Sequence, residues 1–442
     1  MIRAQAPALE PGEALRRLCR GERPFLLDGG QAGGGDGLGR FSLAGCDPDD
    51  GVVWRRGDAG EPLQLLAAAA RRWIAGPVED QPWPFAIGFL SYDLGEELVA
   101  RPAGRRFTSV DDLGLPLVDF ARYRAVWRHD ASSGRAEVLA LDGASAERLL
   151  GRLSRTPPPL PVVRLPPVRW ETPDDRYRAR VGRALDYLRA GDAYQVNLSH
   201  RMKATLDDEA ALPLYLRLRE TAPAPLGAFL ALGGASLLCN SPELLLRSRF
   251  EAGGFVLETR PIKGTRPRGA SPDEDEELAL ALDGSAKDRA EHLMIVDLER
   301  NDLGRVAAPG SVRVDGFQRR VALPTVHHLV STVTARARPA LTLPELLAAT
   351  FPGGSVTGAP KLRAMEIIDE LEGVRRGPYC GAIGWLGAGL TLDFALAIRT
   401  AIVSAGELTL SVGGGIVADS VPEDELLETM VKAEAFLRAL GK

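Results

Sequence analysis

Two pairs of acidic residues carry the first chemical signal: Asp288 and Glu291 stand three apart, and so do Glu425 and Glu428, with Lys432 four further on. At those spacings each pair shares one helix face. Like charges so placed repel on a bare helix, and two such pairs facing one another form a hard-oxygen site suited to magnesium. Each pair also has a plain structural reading. Ser285-x-x-Asp288 has the form of a helix cap, and Glu428 with Lys432 that of an exposed ion pair. Lys263, in PIKGTRPRG, ends an apolar strand beside a glycine. It is either a solvated surface amine or a nucleophile, and the second role needs burial or a cationic neighbour to free its lone pair. His327 and His328, in VHHLVSTVT, are two of only five histidines, and strand alternation predicts one ring inward and the other outward. Arg399 in FALAIRTAIV and Tyr379 in GPYCGAIGW interrupt apolar, strand-like runs, where an inward guanidinium calls for an anion such as a carboxylate. FPGGSVTGAPK departs from the phosphate-loop pattern, so nucleotide binding is not expected. Gly413, Gly414 and Gly415, at a strand end, either offer amide N–H groups to a small dianion or serve as turn glycines.

These groups need elements to hold them. Thr172, Pro173 and Asp175 predict a helix start, and Val181, Ala184, Leu185 and Leu188 continue it until Gly191. The strand YQVNLSHRMKATL follows. Two strand-rich blocks, running from AFLALGG to PIKGT and from YCGAIGW to VGGGIV, bracket helices expected over Ala286–Glu299 and Thr357–Leu371, before a C-terminal helix from about Glu423. Upstream, PFAIGFLSYD, LVDFARYRAVWRHD and AEVLALD read as strands, Leu63–Ile74 as a helix, and DGGQAGGGDG as a long flexible turn. Long hairpins alternating with helices predict packed α/β layers with antiparallel sheets rather than strict βαβ alternation. Six prolines in Thr156–Val168 remove backbone donors and enforce extended geometry. They predict a linker over 156–168, between an N-terminal α/β region (1–155) that forms a layer of its own and a larger region (169–442).

Composition narrows the partners. Lys+Arg at 54 against Asp+Glu at 59 gives a net charge of -5, leaving no basic excess for nucleic acid. The four cysteines show no C-x-x-C spacing, so neither a zinc knuckle nor a disulfide framework is expected, and a reducing cytoplasm fits. The longest nearly apolar stretch, Ala228 to Cys239, falls short of the roughly 20 residues that span a membrane. No export or membrane anchoring is expected.

In chain order, GDAYQVNLS, NSPELLL, PIKGTRPRG, DLERNDLGR, VHHLVS, GGSVTGAPK, ALAIRT and VGGGIVADSVPEDELLET resemble the chorismate-utilising enzymes. PFLLDGG, GRFSLAGCDP and PFAIGFLSYDLG extend the resemblance to the N-terminal part. It implies an α+β layered sandwich of two facing, largely antiparallel sheets with helices outside. Two positions separate the branches of this family. Members that add water to chorismate, the isochorismate and salicylate synthases, carry a lysine base where this chain has Gln195, whose neutral amide cannot deprotonate water. Ammonia is nucleophilic when neutral and needs no such base. Anthranilate synthases read P-I-A-G-T where this chain reads PIKGT, and Lys263 matches the branch that aminates chorismate at C4.

The resemblance therefore implies magnesium-dependent amination of chorismate to 4-amino-4-deoxychorismate, on the route to p-aminobenzoate and folate. Anthranilate synthase is the alternative and isochorismate synthase a more distant one. It implies Lys263 as the amine that attacks ring C2, Glu243 as the acid that protonates the departing C4 hydroxyl, and His328 rather than His327 as the active-site histidine. Glu291 and Glu428 would ligate magnesium, with Asp288 and Glu425 nearby. Tyr379, Arg399, the Gly413 and Gly415 amides and Lys432 would hold carboxylates, and Thr357 and Gln195 would line the pocket. Asp288 replaces a glutamate found in some relatives. The tryptophan pocket of related N-terminal regions has a Leu-Glu-Ser that appears here as Leu27-Asp28-Gly29, without the hydroxyl. No G-x-C-x-G-x-Q loop surrounds any cysteine, so ammonia is expected from a separate glutamine amidotransferase subunit in a heterodimer.

Overall fold

The computed structural model describes residues 1–30, 37–73, 85–99, 107–161, 163, 167–322 and 326–441. Most of DGGQAGGGDG and part of the proline-rich stretch lie outside the described residues. Two large sheets carry the fold, and every strand pairing within them is antiparallel. The 12-stranded sheet runs from Ile2–Gln5 at one edge, through Phe25–Asp28, Leu226–Ala231, Ala235–Ser241, Thr400–Ser404 and Glu407–Ile416, to Gln195–Thr205. The 10-stranded sheet runs from Ile262–Pro267 through Val326–Arg336, Gly254–Arg260, Leu244–Glu251, Leu392–Leu396 and Ala382–Leu386 to Ala86–Leu90, Val118–Arg122 and Asp50–Trp54.

Alternation explains why two sheets stack. Phe25, Ala228, Leu230, Leu237 and Ile402 of the first sheet pack with Ile87, Phe89, Ala121 and Ile383 of the second in one buried cluster. Each sheet covers its other face with helices. Leu15, Leu149, Leu214 and Phe436 cover the 12-stranded sheet, and Leu66, Val296 and Leu346 the 10-stranded one. This is the layered sandwich expected. The proline-rich stretch does not divide it, because both sheets take strands from either side and residues 1–155 form no layer of their own.

Local chemistry sets most element ends. In Pro62–Trp73, Leu63, Leu66, Ala67, Ala70 and Trp73 are buried at helical spacing. The helix Asp174–Arg189 starts after Pro173, and no side chain caps it. Thr172 instead receives a hydrogen bond from Arg180 Nη1 at 3.2 Å. The helix expected over Thr357–Leu371 begins only at Lys361–Glu372. Gly358 and Ala359 pair with Val196 and Gln195 as a short strand, and Pro360 brings no N–H to extend the helix upstream.

Arg399 and Tyr379 also depart from expectation. Neither lies within a strand: Arg399 sits between Leu392–Leu396 and Thr400–Ser404, and Tyr379 precedes Ala382–Leu386. At Arg399 the chain crosses from one sheet to the other with φ 49°. An apolar run that changes sheets looks continuous in sequence. Histidine alternation holds for direction but not for exposure, because both His327 and His328 are buried. The helix Pro272–Asp283 supplies the cover, with Asp275 Oδ1 2.9 Å from His327 Nε2.

Candidate active site

Two chain crossings between the sheets lie side by side. Ser241-Pro242-Glu243 links the strand Ala235–Ser241 of one sheet to Leu244–Glu251 of the other, and Asn240 N–H donates to the Arg399 carbonyl at 3.0 Å. The Glu243 carboxyl is therefore trapped between layers. Ser355 Oγ donates to its Oε1 at 2.7 Å. Burial pushes its pKa up to about 7, although the Ser355 hydrogen bond and then the charge of Lys263 pull the other way. A carboxyl so placed keeps its proton near neutrality and is suited to general acid work. The Arg399 guanidinium makes no hydrogen bond or ion pair among the described residues, and burial lowers its pKa.

Lys263 lies on the edge strand Ile262–Pro267, opposite Leu329, and the ladder with Val326–Arg336 slips between Lys263 and Thr265. Gly264 makes the slip, with φ 76° and no room for a Cβ, which would fall 2.8 Å from Leu282. The slip turns Lys263 toward the other sheet. Its Nζ and the Gln195 Nε2 both lie 3.0 Å from the point a Cβ on Gly415 would occupy. Neither polar atom of the buried Gln195 side chain has a partner. Gly358, with φ 136°, holds Gln195 in place, since a Cβ there would fall 2.0 Å from the Gln195 carbonyl.

His328 Nδ1 is 3.1 Å from the Gly264 carbonyl and 3.0 Å from Thr265 Oγ1. A carbonyl only accepts, so the ring proton sits on Nδ1 and the Nε2 lone pair is left bare. Nε2 is buried and unpartnered, and burial lowers the pKa to about 3, keeping the ring neutral. The Gly413–Gly415 segment pairs with Ser199–Asn197 on one side. On its other side, pairing with Thr400–Ser404 stops at Leu410, short of the glycines.

Glu425 and Glu428 meet the other face of the same glycines. A Cβ on Gly414 would meet Glu425 Oε2 at 3.2 Å, Glu428 Oε1 at 3.6 Å and Lys432 Nζ at 3.6 Å. Lys432 Nζ lies 2.6 Å from Glu428 Oε1 and donates to the Gly413 carbonyl at 2.8 Å. Glu428 is held below the ordinary carboxylate range by Lys432, whereas burial raises Glu291 and Glu425. Ser420 Oγ donates to Glu425 Oε1 at 2.6 Å. Lys287 Nζ stands between the helices, 3.6 Å from Glu425 Oε1 and 3.9 Å from Glu291 Oε1. Asp288 turns away: its Oδ2 pairs with Arg266 Nη2 at 2.9 Å, and its backbone N–H donates to the expected cap, Ser285 Oγ, at 3.2 Å. Among the described residues no three acidic, histidine or cysteine side chains converge to metal-holding distance. The donors nevertheless suit a hard cation, being carboxylate oxygens from two helices around a point already met by an ammonium group.

Two further expected residues have partners of their own within the protein. Thr357 Oγ1 donates to the Gly353 carbonyl at 2.9 Å, and the ring face of Tyr379 lies 6.0 Å from the Arg376 guanidinium. Sequence reasoning missed Lys287, Ser355 and Glu299. Glu299 is buried, accepts from Thr259 Oγ1 at 2.6 Å, and is pushed well above the carboxylate range by burial and then by Glu243. Lys287 was detectable as the residue four before Glu291, whereas Ser355 and Glu299 left no periodic signal. In the N-terminal region, the Asp28 carboxylate pairs with Arg219 Nε at 2.7 Å and accepts from Ser42 Oγ at 3.3 Å.

Comparison with known proteins shows the family. The family described as chorismate binding enzyme matches residues 40–438. Aminodeoxychorismate synthase component 1 of Escherichia coli is 40% identical over 386 residues, 86% of this chain and 83% of that protein. Anthranilate synthase component 1 of Thermus thermophilus is 41% identical, covering 91% of this chain and 89% of its own length. Among solved structures, anthranilate synthase component I from Streptococcus pneumoniae superposes with a TM-score of 0.76 at 30% identity, over 90% of this chain and 92% of that one.

Proposed function

The chain belongs to the chorismate-binding enzyme family, and from that premise we propose that it aminates chorismate at C4 to give 4-amino-4-deoxychorismate. The observation that carries this reading is the meeting of Lys263 Nζ and the neutral Gln195 amide over Gly415. An amine beside a neutral amide supports attack by Lys263 on the ring, with Gln195 unable to serve as a base for water.

The ring docks as a dianion, with its carboxylates toward Arg399, the Gly413–Gly415 edge and Lys432. Lys263 forms a bond to C2, the two ring double bonds shift, and the C4–O bond breaks. Glu243 gives its proton to the departing hydroxyl, which leaves as water. Ammonia then bonds to C4, the double bonds shift back, and the C2–N bond to Lys263 breaks. The proton lost by the new C4 ammonium returns to Glu243. His328, neutral with its Nε2 lone pair free, accepts a hydrogen bond from the substrate, and Tyr379 and Thr357 line the pocket behind it. Magnesium, when bound, would be held by Glu291 and Glu428 with Glu425 beside them, Asp288 being tied to Arg266, and would supply positive charge for the ring carboxylate. Ammonia comes from a separate glutamine amidotransferase subunit paired with this chain. No described helix is long and apolar enough to cross a membrane.

Given chorismate, magnesium and ammonium at mildly alkaline pH, the protein yields a product that becomes p-aminobenzoate only when a lyase is added. Direct release of fluorescent anthranilate would instead support the activity named for the Thermus relative. An undiminished rate in Lys263→Ala would remove the nucleophile.

A further inference from the structure

Lys287 is the residue of the acidic cluster that the proposed chemistry leaves without a part. Its ammonium reaches from the helix Ala286–Gly304 across to the helix Pro422–Ala439, 3.9 Å from Glu291 Oε1 and 3.6 Å from Glu425 Oε1. Glu428 is the third carboxylate that acts on it. The remaining members of the cluster have partners of their own: Glu428 has Lys432, and Asp288 has Arg266. Among the described residues, Lys287 alone bridges the two helices between Glu291 and Glu425. Its side chain is 47% exposed, while those of Glu291 and Glu425 are 15% and 3% exposed. The carboxylates are thus fixed and the cation is free to leave, on a flexible four-carbon stem.

We infer that the Lys287 ammonium is a built-in competitor for the divalent cation, holding Glu291 and Glu425 together and swinging into solvent when the ion binds between them. Magnesium needs oxygen ligands at about 2.0–2.1 Å and keeps inner-shell waters around it. An ammonium between the ligand Glu291 and its neighbour Glu425 stands where the ion or those waters must go, and the positive charges repel. The lysine makes cation entry an exchange of one positive group for another.

This inference rests on the metal reading above, and manganese(II) titrations followed calorimetrically separate the two. Lys287→Met keeps the stem and removes the charge. Arg289→Met makes the same charge change at an exposed position of the same helix. The Lys287→Met protein binds manganese about three- to tenfold tighter than wild type, the range expected for freeing half-exposed ion pairs, while Arg289→Met binds as wild type does. Equal affinities, equal tightening in both variants, or weaker binding in Lys287→Met would overturn the competitor role and leave the metal reading standing. Absence of manganese binding by all three proteins would overturn both. A crystal structure of the wild type with manganese gives a second readout independent of variant folding. Nζ swung clear of Glu425 agrees with the exchange, and Nζ still within about 4 Å of both carboxylates beside a bound ion refutes it.

Discussion

Glu243 and Glu428 carry the same side chain and both feel the charge of Lys263, and their surroundings prepare them for opposite work. Glu243 lies at a crossing between two sheets, 5% exposed, with a serine hydroxyl as its hydrogen-bond donor, and its pKa is pushed up to about 7. Glu428 lies on a half-exposed helix face 2.6 Å from Lys432, and that cation holds it ionised. Glu291 and Glu425 fall between these cases, raised by burial but close to Lys287. Desolvation without a contacting cation makes a proton donor, whereas a contacting cation makes a ligand.

The comparison breaks most visibly if each carboxyl is removed by mutation. Glu243→Gln keeps the size of the side chain and its contact with Ser355 but has no acidic proton. The rate at saturation should fall about 10²–10⁴-fold with the fold intact by circular dichroism, and added magnesium should not restore it. A residual rate within about tenfold of wild type would mean that Glu243 is not the acid. Glu428→Gln should raise the magnesium concentration for half-maximal rate about 10–100-fold, and excess magnesium should recover much of the loss. Failure of magnesium to recover activity would place Glu428 on the proton-transfer side instead.

Titration sharpens the contrast further. Glu243 works protonated, so kcat/KM should fall as pH rises through about 7. The bound dianion favours the protonated acid, so the limb in kcat should lie at higher pH. In stability the folded state keeps a proton that the unfolded chain loses, because the pKa rises from 4.5 to about 7. The Glu243 contribution is therefore fully present below about 4.5 and is lost as pH climbs toward 7, and this slope should vanish from urea titrations of Glu243→Gln. The smallest effect belongs to Ser355→Ala. Its hydroxyl favours the ionised carboxylate, so its loss should move the alkaline limb of kcat/KM upward by a fraction of a pH unit, with a rate change of a few-fold. A shift to lower pH would contradict that assignment.

Much of the fold was legible because burial repeats along the chain. The helices Pro62–Trp73 and Ala286–Gly304 and the strand Gln195–Thr205 fall close to where side-chain periodicity places them. The errors share one cause. Arg399 was read inside a strand and Thr357 inside a helix because an apolar run carries no mark where it changes sheet or where a short strand pairs with a distant one. The N-terminal region was read as a separate layer because a proline-rich stretch resembles a boundary, while strand partners are chosen across hundreds of residues.

By itself, the sequence determined the groups available for chemistry: an amine at 263, an amide in place of a base at 195, and acid pairs at helical spacing. Those are matters of residue type and local period. Only the tertiary structure decided that Glu243 would be buried beside Ser355, that Asp288 would turn to Arg266 while Lys287 entered the gap between two acidic helices, and that Lys263 and Gln195 would meet over Gly415. Acidity and ion pairing depend on dielectric and on charges within a few ångströms, and those distances are set by contacts between residues far apart in the chain.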